Sequence, residues 1–100
     1  MILEEFAIYP RSHVLRAGVG DEAVLYNEQS GAYFGLNAVA ARVWELAETG
    51  VTIRQILDVL ASEFEVEPSV LDADIRSLVP ELVSQGLCEV QPVGAGGAGD

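Results

Sequence analysis

The stretch Val24-Leu25-Tyr26-Asn27-Glu28-Gln29-Ser30-Gly31-Ala32-Tyr33-Phe34-Gly35-Leu36-Asn37 holds two short extended segments, a polar turn between them, and a helix start. Branched and aromatic side chains predict strands over 22–27 and 32–36. The loop from Asn27 to Gly31 has hairpin composition, with a glycine able to take a positive φ. Asn37 suits an N-cap for a helix whose apolar positions Val39, Ala40, Val43, Trp44 and Ala47 recur at three and four residues, and Gly50 ends it. Upstream, Val14 and Leu15 predict a strand over 12–17, followed by the loose turn Gly18-Val19-Gly20-Asp21. Three strands cannot bury a face by themselves, so helices must cover them.

Those helices are written downstream. Thr52 caps a second one carrying Ile53, Ile56, Leu57, Leu60 and Phe64 on one face. Its connection to the first is short, as in helix-turn-helix units. After the polar break Glu65-Val66-Glu67-Pro68-Ser69, Leu71, Ile75, Leu78 and Leu82 form the stripe of a third helix that Gly86 ends. Pro80 lies inside it, which predicts a bend or an early stop. Residues 87–90 read as a brief extended tail. The fold class expected is α+β, a winged helix-turn-helix with a three-stranded antiparallel sheet followed by three helices. Residues 1–11 form an N-terminal arm, 12–90 the domain, and 91–100 a Gly-rich tail disordered by composition.

Composition excludes several function classes. Five arginines, no lysine and sixteen carboxylates give a net charge of -11, which opposes binding to nucleic acid and to anionic membrane surfaces. A basic peptide, or a basic face on a protein partner, fits that charge. Two glutamates near the start and the lack of a long apolar run argue against a secretory signal, so a cytoplasmic location is expected. Cys88 is the single cysteine, which rules out an internal disulfide and any multi-cysteine metal site within one chain.

The run from Val24 to Asn37, continuing into Ala41-Arg42-Val43-Trp44-Glu45-Leu46, resembles the PqqD-like family of precursor-peptide recognition elements. Thr52-Ile53-Arg54-Gln55-Ile56, Leu71-Asp72-Ala73-Asp74-Ile75, Leu78, Leu82 and Gly86-Leu87 extend the resemblance over roughly residues 12–90. The Gly31-to-Asn37 form looks more like the discrete proteins of lasso-peptide clusters than the pyrroloquinoline quinone chaperone. The resemblance implies a domain that binds the leader of a ribosomally made peptide as an added strand, in a groove between the third strand and third helix. Its implied partners are that leader and a separate modifying enzyme or leader peptidase.

An exposed strand edge offers unpaired N–H and C=O groups to an extended peptide. Ala32, Tyr33, Phe34, Gly35 and Leu36 would be that template. Gly35 would allow close backbone approach, while Tyr33 and Phe34 point to opposite faces. On the third helix, Val79 and Val83 with Asp72 and Arg76 make a second, amphipathic strip beside the core stripe. Asp74 and Ile75 match the family pattern there. The plainer readings are that Phe34 and Leu36 belong to the core, that the strip is core with a solvated rim, and that Asp74 favours the helix start.

Catalysis finds no set of groups to run on. His13 and Cys88 are a lone pair of candidates near opposite ends of the domain, the carboxylates form no paired motif, and no phosphate loop or metal-ligand cluster is present. The expectation is a non-enzyme with no cofactor and no metal. Two alternatives stand beside it: a helix-turn-helix regulator of transcription, and a stabilising subunit of an enzyme that does not grip substrate.

Overall fold

The computed structural model describes residues 2–93. A short 3-10 turn (Leu3–Glu5) leads into β1 (Phe6–Pro10), β2 (Val14–Val19), β3 (Glu22–Asn27), β4 (Tyr33–Leu36), α1 (Ala38–Ala47), α2 (Ile53–Glu63), α3 (Pro68–Ser84) and β5 (Cys88–Pro92). Strands β2, β3 and β4 form an antiparallel sheet in that order, and the three helices follow. This is the expected α+β, winged helix-turn-helix arrangement.

Strand alternation sets the sheet's two faces. Ala23, Leu25 and Asn27 of β3 are buried while Val24 and Tyr26 between them are only half-buried. Leu25 pairs with Phe34 and Ala23 with Leu36, so these four side chains share the inner face. Against it α1 lays Ala41, Val43, Trp44 and Ala47, all buried. Each large side chain removed from water in this way contributes on the order of 2–3 kcal/mol. The outer face carries the tilted ring pair Tyr26 and Tyr33, with centroids 4.8 Å apart, together with exposed Leu15 and Val19.

The helix starts follow the expected chemistry. Asn37 Oδ1 accepts the Ala40 N–H at 2.9 Å. Thr52 and Gln55 form a reciprocal capping box, at 3.1 Å and 2.9 Å, an arrangement worth about 1 kcal/mol. Helix α3 runs unbroken through Pro80, so the predicted early stop does not occur. Pro80 and Arg76 both lie on the solvent side, where water can satisfy the Arg76 carbonyl that the proline leaves without a donor. The helix closes at Gly86 with φ +72°. There the Leu87 N–H donates to the Leu82 carbonyl and the Gly86 N–H to that of Val83, both at 3.0 Å, the paired bonds of a Schellman stop.

A second sheet was not expected from the sequence. Inside the segment read as an arm, Phe6–Pro10 pairs antiparallel with β5, with Ile8 opposite Val90. Ala7 and Ile8 are fully buried. The extended segment expected at 87–90 is thus a strand with a partner, and it reaches Gln91 and Pro92 at the start of the segment read as a tail. The rest of that tail, 94–100, lies outside the described residues. Among the described residues, no helix is long and apolar enough to cross a membrane.

Candidate functional site

Among the described residues, strand β4 has a neighbouring strand on one side only. In an antiparallel ladder, alternate residues direct both backbone groups to the same side. The Asn27 N–H donates to the Ala32 carbonyl at 2.9 Å, which fixes the parity along the register. Phe34 and Leu36 therefore bond to β3, and the N–H and C=O groups of Tyr33 and Gly35 face the open edge. A Cβ placed on Gly35 would meet nothing within 4 Å, so the chain's own packing does not demand glycine there.

Where β4 ends, a groove opens between the start of α1 and one flank of α3. Asn37, Val39, Ala40 and Val43 line one wall, and Asp74, Ile75, Ser77, Leu78 and Glu81 the other, around about 270 Å³ of space. The floor is apolar. Asp74 and Glu81 are exposed at the rim, and among the described residues neither carboxylate has an ion-pair or hydrogen-bond partner.

A buried asparagine ties the two sides of this region together. Asn27 Oδ1 accepts the backbone N–H groups of Gln29 (2.9 Å) and Ser30 (3.2 Å), shaping the loop before β4. Its Nδ2 donates to the Gln85 carbonyl at 3.1 Å, at the end of α3. His13 Nε2 lies 3.0 Å from the next carbonyl, that of Gly86. The loop leading into the edge strand is thereby fastened to the end of the helix that forms the far wall. His13 is held in this structural contact, and Cys88 is buried in the core, its thiol pushed up to about 11 by desolvation and by the nearby Glu89 charge. A thiol so placed is protonated and inert at neutral pH.

The structure divides the residues singled out from sequence. Ala32, Tyr33 and Gly35 lie exposed along the open strand, Tyr33 at 74%. Phe34 is half-buried and Leu36 buried, both turned inward, as the plainer reading had it. Asp74 and Ile75 line the groove. Asp72, Arg76, Val79 and Val83 do not line it. Val79 is buried in the core, and Arg76 bridges Asp72 and Glu4, both at 2.8 Å, on the opposite flank of the helix. Val83 is exposed beyond that pair. Sequence reasoning missed Ser77, Leu78 and Glu81, together with Val39 and Ala40. One signal was present: Asp74, Leu78 and Glu81 fall at i, i+4 and i+7, a single line along a helix.

Comparison with known proteins identifies the architecture. The model of the family described as Coenzyme PQQ synthesis protein D (PqqD) matches residues 22–87, the whole span from β3 to the end of α3. The chain belongs to the PqqD family. Two solved structures resemble this PqqD-family chain closely. TbiB1 in complex with the TbiA(beta) leader peptide is 34% identical, with a TM-score of 0.75 over 81% of this chain and 94% of that one. A lasso peptide synthetase B1 complexed with the leader peptide is 30% identical, with a TM-score of 0.71 over 85% of this chain and 98% of that one. No curated protein matches. These neighbours bear out the closer likeness to the discrete proteins of lasso-peptide clusters.

Proposed function

We propose that this PqqD-family chain binds the leader region of a ribosomally synthesised precursor peptide by strand addition to β4. It then presents the peptide to a separate processing enzyme, a leader peptidase of a lasso-peptide cluster. The observation that carries this reading is the open edge of β4, where the backbone groups of Tyr33 and Gly35 face away from β3, without a strand partner among the described residues, beside an apolar groove. An added strand would satisfy those groups, and alternate side chains would enter the groove. Two similar structures, both complexes with leader peptides, support the same assignment. The chain itself does no chemistry in this scheme. It acts in the cytoplasm and raises the effective concentration of substrate at the enzyme.

The alternative of a transcription regulator is disfavoured by α3. Its one cation, Arg76, is already held by Asp72 and Glu4, and the net charge repels phosphate.

The test follows backbone amide resonances of the labelled protein as a synthetic leader peptide of a lasso-peptide precursor is added. Shifts are expected at Ala32–Leu36 and along Asp74–Glu81. A flat titration at high peptide excess would overturn the proposal. Gly35→Pro sharpens the test, because it removes an N–H that faces the open edge and leaves the bonds to β3 in place. Leader affinity is expected to fall about tenfold, the value of one lost backbone hydrogen bond. The thermal midpoint should hardly move.

A further inference from the structure

Cations are scarce in this chain and nearly all are spoken for. Arg11 pairs with Glu89 at 3.3 Å, Arg16 with Glu48 at 3.2 Å, Arg42 with Glu63 at 2.8 Å, and Arg76 with both Asp72 and Glu4 at 2.8 Å. Arg54 sits exposed on α2 and is not among the residues lining the groove. The carboxylates of Asp74 and Glu81 are the groove's charged groups, and among the described residues neither has an ion-pair partner.

Their geometry carries a pattern. Seven residues of helix advance about 10.5 Å, with half-buried Leu78 between the two carboxylates and close to the same line. Side chains on one face of an extended peptide recur every ~6.8 Å. An apolar side chain seated against Leu78, Val39 and Val43 would set the residues two before and two after it ~13.6 Å apart on the same face, about 3 Å more than the advance from Asp74 to Glu81, a difference that a long basic side chain can take up. Lysine or arginine there would rest its aliphatic stem on the groove wall and put its charge at the rim.

We infer that the groove selects a leader segment of the form basic, any, apolar, any, basic, with Asp74 and Glu81 reading the two cations and the apolar floor reading the anchor. This rests on the peptide-binding reading above and assigns the substrate class for that site. Exposed pairs of this kind contribute up to about fivefold each in affinity. The uncompensated negative field adds to the rate of capture and rejects acidic segments.

The experiment is selection from a displayed library of random linear peptides on the full chain, repeated on the Asp74→Asn, Glu81→Gln double variant. Both residues are exposed, so the variant is expected to fold. The wild type should enrich an apolar residue flanked at two positions on either side by Lys or Arg. The double variant should keep the apolar preference and lose the basic one. Peptides recovered on the wild type should bind the variant about five- to tenfold more weakly, with a shallower salt dependence. Enrichment of apolar anchors without flanking cations, or unchanged basic enrichment on the variant, would overturn the inference and leave peptide binding standing. Failure of the wild type to enrich any peptide would overturn both.

Discussion

The two flanks of α3 are built from similar residues and have opposite fates. One flank carries Asp72 and Arg76, which bond to each other at 2.8 Å and reach Glu4 of the N-terminal turn, so its charges are satisfied within the chain. The other carries Asp74 and Glu81 around Leu78, faces α1 across a groove, and among the described residues leaves its charges unmet. A helical stripe with mixed charge is thus no indication of a binding surface until its neighbours are known. What separates a closed surface from a candidate site is whether the chain supplies the complement itself.

This contrast can be broken in a graded series. Val79→Ala removes core volume beside the closed flank and should cost about 2 kcal/mol of stability, read from chemical denaturation, while the remaining folded protein binds leader with unchanged affinity. A large loss of affinity instead would return Val79 to the site. Leu78→Ala, on the open flank, should lower leader affinity about tenfold, or 1.4 kcal/mol, by calorimetric titration. An equal effect from Val83→Ala would show that the wrong flank has been assigned. Arg76→Ala, on the closed flank, should change leader affinity by less than about twofold, since exposed pairs contribute little.

The smallest effect concerns pH. Hydrogen bonding and charge from Arg42 hold the Glu63 carboxyl below its ordinary range, partly offset by desolvation. A carboxyl lowered in the folded state adds stability above its unfolded pKa and loses it as the pH falls through the folded value. The Arg42→Gln variant should therefore show a slightly weaker acid-side loss of stability than the wild type.

Much of this was legible from local pattern. Asn37 and Thr52 cap their helices, Gly86 stops α3, and the hairpin around Asn27 forms where its turn residues place it. Each of these depends on residues within a few positions of one another. The pairing of β1 with β5 was not legible, because Ile8 meets Val90 across nearly the whole chain and a five-residue apolar segment alone does not announce a partner. The stripe on α3 was read as Leu71, Ile75, Leu78 and Leu82, whereas Val79 is buried more deeply than Leu78. Both lie near the edges of the same arc, and the lean of the helix on its neighbours decides which edge is covered.

By itself, then, the sequence determined the types and order of the elements from β2 to α3, the caps and turns, the acidic character, and the residues of a strand suited to serve as an edge. These follow from backbone propensity, hydrophobic period and charge count, all properties of near neighbours along the chain. Only the tertiary structure decided that Asn27 fastens the edge-strand loop to the end of α3, that the N-terminal turn closes one flank of that helix, and that the other stays open. Those outcomes depend on which distant groups meet, and complementarity across space is not written in the spacing of residues along one segment.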